Sequence, residues 1–384
     1  MRWMVPERRL DEYQLSILQK CGVLRGNNDW IQGFAGSGKT VLLVHLVQRI
    51  LAEQPDAKVC VAVFTHALKD LIDTGFEEQF RGSVPVMTYH QFLSAGRRYD
   101  LVVVDEVQDI PTRELDLIKQ LAGRVVVAGD TDQSIYEQCS TADQISSVLE
   151  PRSHKLVVVY RLTQKLKDIV RSILPNSLIE SAPTGRMQDV QVTLAKADSH
   201  KKEIEWVWDS CRRYARSGDP AVILFPTHKI VQNFIREVCR IEEADEPSFP
   251  EREGYRKGTD YDLVNEMLEE AEIPLQYIGN AFGNLRASDE QALTYVMTYH
   301  SAKGLDFDTV FLPHLNTGQT FWWKDKDIDR RLFFVGATRS RKNLFLSYSS
   351  NEPHEYVKSM PQQLLHRETC EVHSETENDD DFFF

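Results

Sequence analysis

One glycine-rich stretch carries residue types that bind a triphosphate. Residues 33–40 read Gly-Phe-Ala-Gly-Ser-Gly-Lys-Thr and satisfy every fixed position of the pattern G-x-x-x-x-G-K-[ST]. The residues expected to curve the backbone around the phosphates are Gly33, Gly36, Ser37 and Gly38. Lys39 would reach the β- and γ-phosphates, and the Thr40 hydroxyl would bind Mg²⁺. Apolar residues before and after the loop favour this interpretation, with ATP and Mg²⁺ as ligands, over an ordinary glycine turn.

A pair of acids follows a second apolar run. Residues 101–106 read Leu-Val-Val-Val-Asp-Glu, which predicts a buried strand that ends in two carboxylates. Ligands of parallel α/β sheets bind at the carboxyl ends of strands. Asp105 would therefore hold Mg²⁺, and Glu106 would orient and deprotonate the attacking water. The simpler alternative is an acidic cap at the end of a strand.

Strand-like and helix-like segments alternate along the chain, which predicts a parallel α/β fold. The strands of a first lobe are predicted at 30–34, 59–64, 84–87, 101–104 and 125–128. Those of a second lobe are predicted at 156–159, 190–194, 221–225, 293–298, 309–312 and 344–347. We predict lobe 1 at 1–150, lobe 2 at 151–366 with a charged insertion near 240–262, and an acidic disordered tail at 367–384 that ends in Phe-Phe-Phe.

Bulk composition is that of an ordinary globular protein. Hydrophobic residues make up 42% and charged residues 27% of the 384 residues, and the net charge is −13. We expect no transmembrane helix and no secretory signal, because no apolar run is long enough. The six cysteines are scattered without close pairing, which argues against a zinc site or a disulfide framework and favours the reducing cytoplasm.

Eight motifs in order resemble superfamily 1A helicases of the UvrD/PcrA/Rep type, from about residue 10 to residue 348. The resemblance implies two RecA-like lobes with the nucleotide in the cleft between them. It also implies roles at the nucleotide. Gln14 would read adenine and Tyr160 would stack on it, while Gln133 and Arg161 would sense the γ-phosphate. Further nucleotide contacts implied by the resemblance are Gly304 and Asp306 of motif V and the arginine finger Arg339 of motif VI.

The resemblance also implies contacts with single-stranded DNA. The candidate residues, from motifs Ia, Ib, III and V, are Phe64, Thr65, Tyr89, His90, Tyr136 and His300. Aromatic side chains in such proteins stack on bases, although each one could instead be an ordinary packing residue. No residue in the sequence is recognisable as a contact to a 2′-hydroxyl, so the sequence does not distinguish RNA from DNA as the bound strand.

Three features depart from the family pattern. Gln138 stands where the family has a stacking Trp, and Asp306 stands where the family has a Glu that binds the ribose. The 1B and 2B accessory domains are largely missing, because only residues 73–85 separate motifs Ia and Ib and only a short segment precedes motif V. We therefore expect single-strand translocation or DNA-stimulated ATP hydrolysis more than processive unwinding.

The resulting hypothesis is an ATP-dependent single-stranded DNA translocase or helicase that moves 3′ to 5′. The alternative is a regulatory or sensor ATPase within a larger assembly, such as a bacterial defence system with a partner nuclease. The tail Glu377-Asn-Asp-Asp-Asp-Phe-Phe-Phe resembles the tips of single-stranded-DNA-binding proteins. It could dock on a protein partner, occupy the protein's own DNA groove, or simply be solvated. No membrane partner is expected.

Overall fold

Two parallel sheets organise the chain. The computed structural model describes residues 3–34, 36–130, 139–160, 162–174, 183, 189–218, 221–252, 258–279, 282–283, 292–322 and 324–371, with the side chain at position 70 excepted. The first sheet has the strand order β3-β2-β4-β5-β1-β6 and the second has the order β13-β7-β12-β11-β8-β10-β9. Each sheet is buried between helices, as parallel sheets usually are.

The first sheet belongs to lobe 1. Its strands are β1 (Asp29–Gly33), β2 (Val59–Val63), β3 (Val86–Thr88), β4 (Tyr99–Val104), β5 (Ala122–Gly129) and β6 (Arg152–Leu156). The helices around it are α1 (Glu12–Cys21), α2 (Lys39–Glu53), α3 (His66–Gly75), α4 (Tyr89–Ala95), α5 (Thr112–Gln120) and α6 (Ala142–Leu149). Strand β5 separates β1, which leads into the glycine-rich loop, from β4, which ends before the acid pair. The carboxyl ends of β1 and β4 therefore meet at one edge of the sheet.

The second sheet belongs to lobe 2. Its strands are β7 (Gln191–Lys196), β8 (Ala221–Phe225), β9 (Leu275–Tyr277), β10 (Thr294–Thr298), β11 (Phe307–Leu312), β12 (Ser340–Tyr348) and β13 (His366–Thr369). The helices of this lobe are α7 (Gln164–Ile173), α8 (His200–Arg216), α9 (His228–Ile241), α10 (Tyr261–Glu270), α11 (Lys326–Ala337) and α12 (Glu355–Ser359). The alternation predicted from the sequence is thus confirmed as two parallel α/β sheets.

The structure moves two predicted boundaries. Strand β6 pairs with β1 in the first sheet, so lobe 1 extends to Leu156 and the predicted boundary between 150 and 151 is too early. The strand predicted at 156–159 for lobe 2 is wrong, because β6 covers Arg152–Leu156 instead. The segment Arg152–Lys155 has little apolar character, so it gives a weak strand signal.

The predicted start of the tail at 367 is also too early. Strand β13 covers His366–Thr369 and adds to the edge of the second sheet beside β7. Its residues are mostly exposed and polar, and edge strands of this kind resemble a solvated tail in sequence. The rest of the predicted tail, from 372 onwards, lies outside the described residues.

Connections at the expected accessory-domain positions are short. Residues 76–85 alone link α3 to β3, and residues 278–293 link β9 to β10. The charged segment between α9 and α10 spans residues 242–260, where an isolated bridge pairs Glu251 with Thr259. Among the helices of the described residues, none has both the length and the apolar character needed to cross a membrane.

Candidate functional site: a cleft and an adjoining groove

A cleft of about 330 Å³ lies between the lobes at the carboxyl edge of β1 and β4. Lobe 1 lines it with the glycine-rich loop, Gln14 and Glu106, and lobe 2 lines it from the opposite side. Tyr160, from the segment that connects the lobes, is part of its wall. The lobe 2 residues in the wall are Gly304, Asp306, Arg339 and Arg341. Most of the predicted nucleotide residues are therefore brought together from distant parts of the chain.

The glycine-rich loop is held tightly around Lys39. The Lys39 ammonium donates to the carbonyls of Gly33 at 2.7 Å and Phe34 at 3.1 Å, and the residue is buried. Gly38 has φ +88°, and a Cβ there would lie 2.7 Å from Nε2 of Gln14. Glycine is required at this position by both the left-handed backbone and the close approach.

Thr40 and Asp105 form a pair of oxygen donors. The Thr40 hydroxyl donates to Oδ2 of Asp105 at 2.6 Å, and Asp105 is fully buried. Burial, together with the neighbouring charge of Glu106, raises the pKa of Asp105 to about 6. A hydroxyl beside a carboxylate, facing a phosphate-binding loop, suits Mg²⁺, which binds proteins through one or two such oxygens and substrate phosphates.

Glu106 is held in an unusual backbone conformation. Its φ of +52° lies in the left-handed region, which is uncommon for residues other than glycine and is found at functional sites. Its carboxylate accepts a hydrogen bond of 2.5 Å from the side-chain amide of Gln108. Burial alone would raise the pKa of Glu106, but the positive charges of Lys303 and Lys39 and this hydrogen bond outweigh it and lower the pKa. Glu106 is therefore an anion positioned in the cleft.

A buried ion pair joins the lobes next to Glu106. Nζ of Lys303, in lobe 2, lies 2.6 Å and 2.8 Å from the two carboxylate oxygens of Asp109, in lobe 1. Burial raises the pKa of Asp109 to about 7 despite the opposing charge of Lys303. Sequence reasoning did not single out either residue, although both lie within recognised motifs.

Arg339 is buried in the wall of the cleft. Its guanidinium donates to the carbonyls of Val335 at 2.8 Å and Leu305 at 3.1 Å, and to the Thr338 hydroxyl at 3.1 Å. Its charge contributes to lowering the pKa of Glu106. Arg339 thus supplies positive charge to the cleft from the lobe opposite Lys39.

Gln14 and Tyr160 close one end of the cleft. Gln14 donates to the Ser37 carbonyl at 3.2 Å and completes a capping box with Asp11 at the start of α1. The Tyr160 hydroxyl donates to the Asp11 carboxylate, and its backbone N–H donates to the Gly36 carbonyl at 2.8 Å. Burial and the contact with Asp11 raise the pKa of Tyr160. Both side chains thus lie against the glycine-rich loop, at the end of the cleft predicted to hold the adenine base.

Three predicted site residues lie outside the described part of the chain. They are Gln133, Tyr136 and Arg161, and the same holds for the departure noted at Gln138.

A groove of about 860 Å³ runs beside the cleft and is also lined by both lobes. The predicted nucleic-acid residues in its lining are Phe64, Thr65, His90 and His300. Tyr89 is not among the lining residues; it is buried and stacks on Phe64 with ring centroids 5.6 Å apart. Burial and the charge of Lys303 lower the pKa of His300 to about 4, so its ring is neutral near pH 7.

Sequence reasoning missed several residues of the groove. Trp322 lines it, and its ring meets His300 edge-on at a centroid distance of 5.6 Å. Asp329 fixes the backbone there, because its Oδ1 accepts from the N–H groups of Phe321 and Trp322, both at 2.6 Å. Arg252 of the charged insertion also lines the groove, with its guanidinium 5.0 Å from the centroid of the Phe282 ring. The available signal was an aromatic pair, Trp-Trp, in an otherwise charged segment.

Two family models match separate parts of the chain, one in each lobe. A model described as AAA domain matches residues 22–138, and one described as UvrD-like helicase C-terminal domain matches residues 229–351. The first range contains the glycine-rich loop and the acid pair. The second contains the lobe 2 residues of the cleft (Gly304, Asp306, Arg339 and Arg341) and the groove residues His300 and Trp322.

Curated relatives match over shorter stretches. A probable DNA helicase II homolog of Rickettsia conorii is 34% identical over 80 residues, which cover 18% of this chain and 12% of the relative. The ATP-dependent DNA helicase Rep of Buchnera aphidicola subsp. Schizaphis graminum is 28% identical over 123 residues, covering 31% and 16%. A probable DNA helicase II homolog of Mycoplasma capricolum is 27% identical over 155 residues, covering 37% and 22%. The chain thus spans less than a quarter of the length of these relatives.

A solved structure titled "The structure of PRRSV helicase" aligns with 90% of this chain and 56% of its own, at a TM-score of 0.44 and 14% identity. The two matched ranges lie in different lobes, and both contain motifs identified in the sequence. The chain is thus similar to the UvrD-like helicases of superfamily 1, with the UvrD-like C-terminal domain matched over residues 229–351.

Proposed function

We propose that this protein is an ATP-dependent motor that translocates 3′ to 5′ on single-stranded DNA. The observation that carries the proposal is the pairing of two sites, since a charged cleft and an adjoining groove are each lined by both lobes. Any change of the cleft that moves one lobe relative to the other must also change the groove. The polarity and the choice of DNA rest on the family resemblance.

The cleft has the groups that ATP hydrolysis requires. Lys39 from lobe 1 and Arg339 from lobe 2 would neutralise charge on the transferring phosphoryl group, and Glu106 would orient and deprotonate the water. Thr40 and Asp105 would hold Mg²⁺, which supplies further positive charge at the phosphates when bound. Gln133 and Arg161 keep their predicted roles as γ-phosphate sensors, and Asp306 its predicted role at the ribose.

The groove favours stacking over phosphate contacts. Its described lining includes aromatic rings and four histidines, but Arg252 is the only Lys or Arg among those lining residues. Stacking on an aromatic ring contributes roughly 1–3 kcal/mol per base and tolerates any sequence. We infer little sequence specificity and a shallow dependence of binding on salt, because few phosphates would be neutralised.

Two further properties belong to the proposal. The short connections at the accessory-domain positions favour translocation over processive strand separation. All six cysteines are free thiols and five of them are buried, which favours a reducing cytoplasmic location. The tail remains a candidate docking segment for a protein partner.

The deciding experiment is steady-state ATP hydrolysis by the purified chain, alone and with oligo-dT, oligo-U or blunt duplex. Lys39→Ala is the blank, because it removes the ammonium that would contact the phosphates. Stimulation by oligo-dT alone supports a motor on single-stranded DNA. A low rate that no nucleic acid changes would overturn the motor proposal and favour the regulatory ATPase.

The groove is tested separately at Trp322. Trp322→Ala should weaken oligo-dT binding by about 5-fold to 150-fold, the equivalent of one stacked base at roughly 1–3 kcal/mol. Trp322→Phe keeps an aromatic face and should retain most of the affinity. Fluorescence anisotropy with labelled oligo-dT measures both. Equal affinity of the alanine variant and the parent for oligo-dT would show that Trp322 does not contact the strand.

A further inference from the structure

Two histidines and a glutamate converge at the carboxyl edge of the lobe 2 sheet. His200 and Glu203 lie in the first turn of α8, and His314 follows strand β11. One potential ligand atom from each residue lies within 4.8 Å of the other two. A small cavity of about 60 Å³ is lined by all three side chains.

The two oxygens of the Glu203 carboxylate differ in their hydrogen bonds. Oε1 accepts from the N–H of His314 at 2.7 Å and from the Ser347 hydroxyl at 2.8 Å. Oε2 is buried and accepts no hydrogen bond within the described residues, and Nδ1 of His200 faces it at 3.9 Å. A buried carboxylate oxygen without a hydrogen bond is costly, so Oε2 is an oxygen that can accept a further partner.

His314 is held towards this cluster at a backbone position that suits glycine. Its φ is +65°, in the left-handed region that residues with a Cβ seldom adopt. Such conformations persist where the surrounding structure imposes them, and they gather at functional sites. The hydrogen bond from the His314 N–H to Glu203 ties this backbone directly to the cluster.

The position within the sheet favours a ligand. From β8 the chain continues towards β10 and β9 on one side, whereas from β11 it continues to β12 on the other side. Neighbouring strands β8 and β11 therefore border a topological switch point, where ligands of open α/β sheets bind. The cavity lies there, between Phe225 at the end of β8 and Pro313 after β11.

A second cluster of possible metal ligands lies in lobe 1, but its carboxylate is already fully hydrogen-bonded. Cys21, Asp29 and His154 are also close enough to ligate an ion. However, the Asp29 carboxylate already accepts hydrogen bonds from Arg124, Arg152 and His154, so its charge is compensated. That cluster is a structural ion-pair network.

We propose that His200, Glu203 and His314 bind one Zn²⁺ ion. Two imidazoles and a carboxylate are a common Zn²⁺ ligand set that leaves a fourth position for water. Tetrahedral coordination needs ligand atoms about 3.3 Å apart. The atoms here lie within 4.8 Å of one another, so side-chain rotations that bring them up to about 1.5 Å closer would form the site. The His200 side chain is 53% exposed, which gives the ion access from solvent. The ion would tie the start of α8 to the turn after β11.

The test is Zn²⁺ titration by calorimetry of the full, untagged chain after dialysis against a chelator. The parent should bind one equivalent at this site, and Co²⁺ in its place should give visible absorption bands. His200→Ala and His314→Gly should lose this equivalent or bind it at least about tenfold more weakly. His314→Gly should fold, because glycine adopts φ +65° readily.

His366→Ala, at an exposed position on β13, is the matched control and should bind like the parent. The thermal midpoint should rise with Zn²⁺ in the parent and the control, but not in the two ligand variants. An absence of stoichiometric binding by the parent would overturn the proposal. Equal binding by the parent and both ligand variants would also overturn it. Neither readout depends on ATP hydrolysis.

Discussion

Charged residues in the cleft are held in place by their surroundings. Lys39 and Arg339 approach from opposite lobes, and each hydrogen-bonds to backbone carbonyls of its own lobe. Glu106 lies between positive charges that keep it ionised. Arg339 is therefore the residue whose removal should separate binding of ATP from its turnover.

Arg339→Ala should keep much of the ATP affinity but lose about 10³-fold to 10⁵-fold in turnover, as when an arginine finger is removed from related phosphoryl-transfer sites. Binding is measured with a fluorescent ATP analogue and turnover by phosphate release. Thermal melting controls for the three hydrogen bonds that the guanidinium makes. A variant that hydrolyses ATP nearly as fast as the parent would show that Arg339 is not catalytic.

His300 predicts a pH dependence of stability. Its pKa falls from 6.5 to about 4 on folding, so between these values the unfolded chain binds more protons than the folded one. Stability therefore falls as pH drops through this window, by at most about 3 kcal/mol from this residue. The thermal midpoint of the parent should drop more steeply between pH 6.5 and about 5 than that of His300→Asn. Parallel slopes would contradict the assignment; His366→Asn controls for loss of a histidine.

At the scale of elements, the buried pair Lys303–Asp109 connects the loop after β10 to the short 3-10 turn after β4. Breaking such a pair by removing one partner costs about 3–5 kcal/mol, because the other charge is left buried. Asp109 has a pKa of about 7 even beside Lys303, so it can avoid this cost by taking up a proton when Lys303 is removed.

We expect Asp109→Asn to destabilise more than Lys303→Met near pH 8, where Asp109 is ionised in the parent, and the double variant to recover part of the loss. Urea unfolding of the parent, the two single variants and the double variant measures the free energies. Effects that simply add, within about 0.5 kcal/mol, would show that the two residues do not interact across the lobes.

At the scale of the whole molecule, the cleft and the groove share the same two lobes. A non-hydrolysable ATP analogue should change the affinity for oligo-dT by about 5-fold to 150-fold, the usual range of coupling between sites. Linkage requires oligo-dT to change the affinity for the analogue by the same factor. Anisotropy titrations in both directions test this equality. A factor of one in both directions would mean that the lobes do not couple the sites.

Local features of the chain were predictable from short stretches of sequence. The meeting of Gly33–Thr40 and Asp105-Glu106 at one sheet edge was predictable, because both follow apolar runs that predicted strands of one parallel sheet. Their proposed phosphate and Mg²⁺ contacts rest on residue types at fixed short spacings. Which distant residues meet could be seen only in the folded protein. The pair Lys303–Asp109, the position of Trp322 beside His300 and the membership of β6 in the first sheet all depend on contacts across more of the chain than any local pattern covers. Such contacts depend on how distant strands and helices pack together, which the spacing of residues along the chain does not predict.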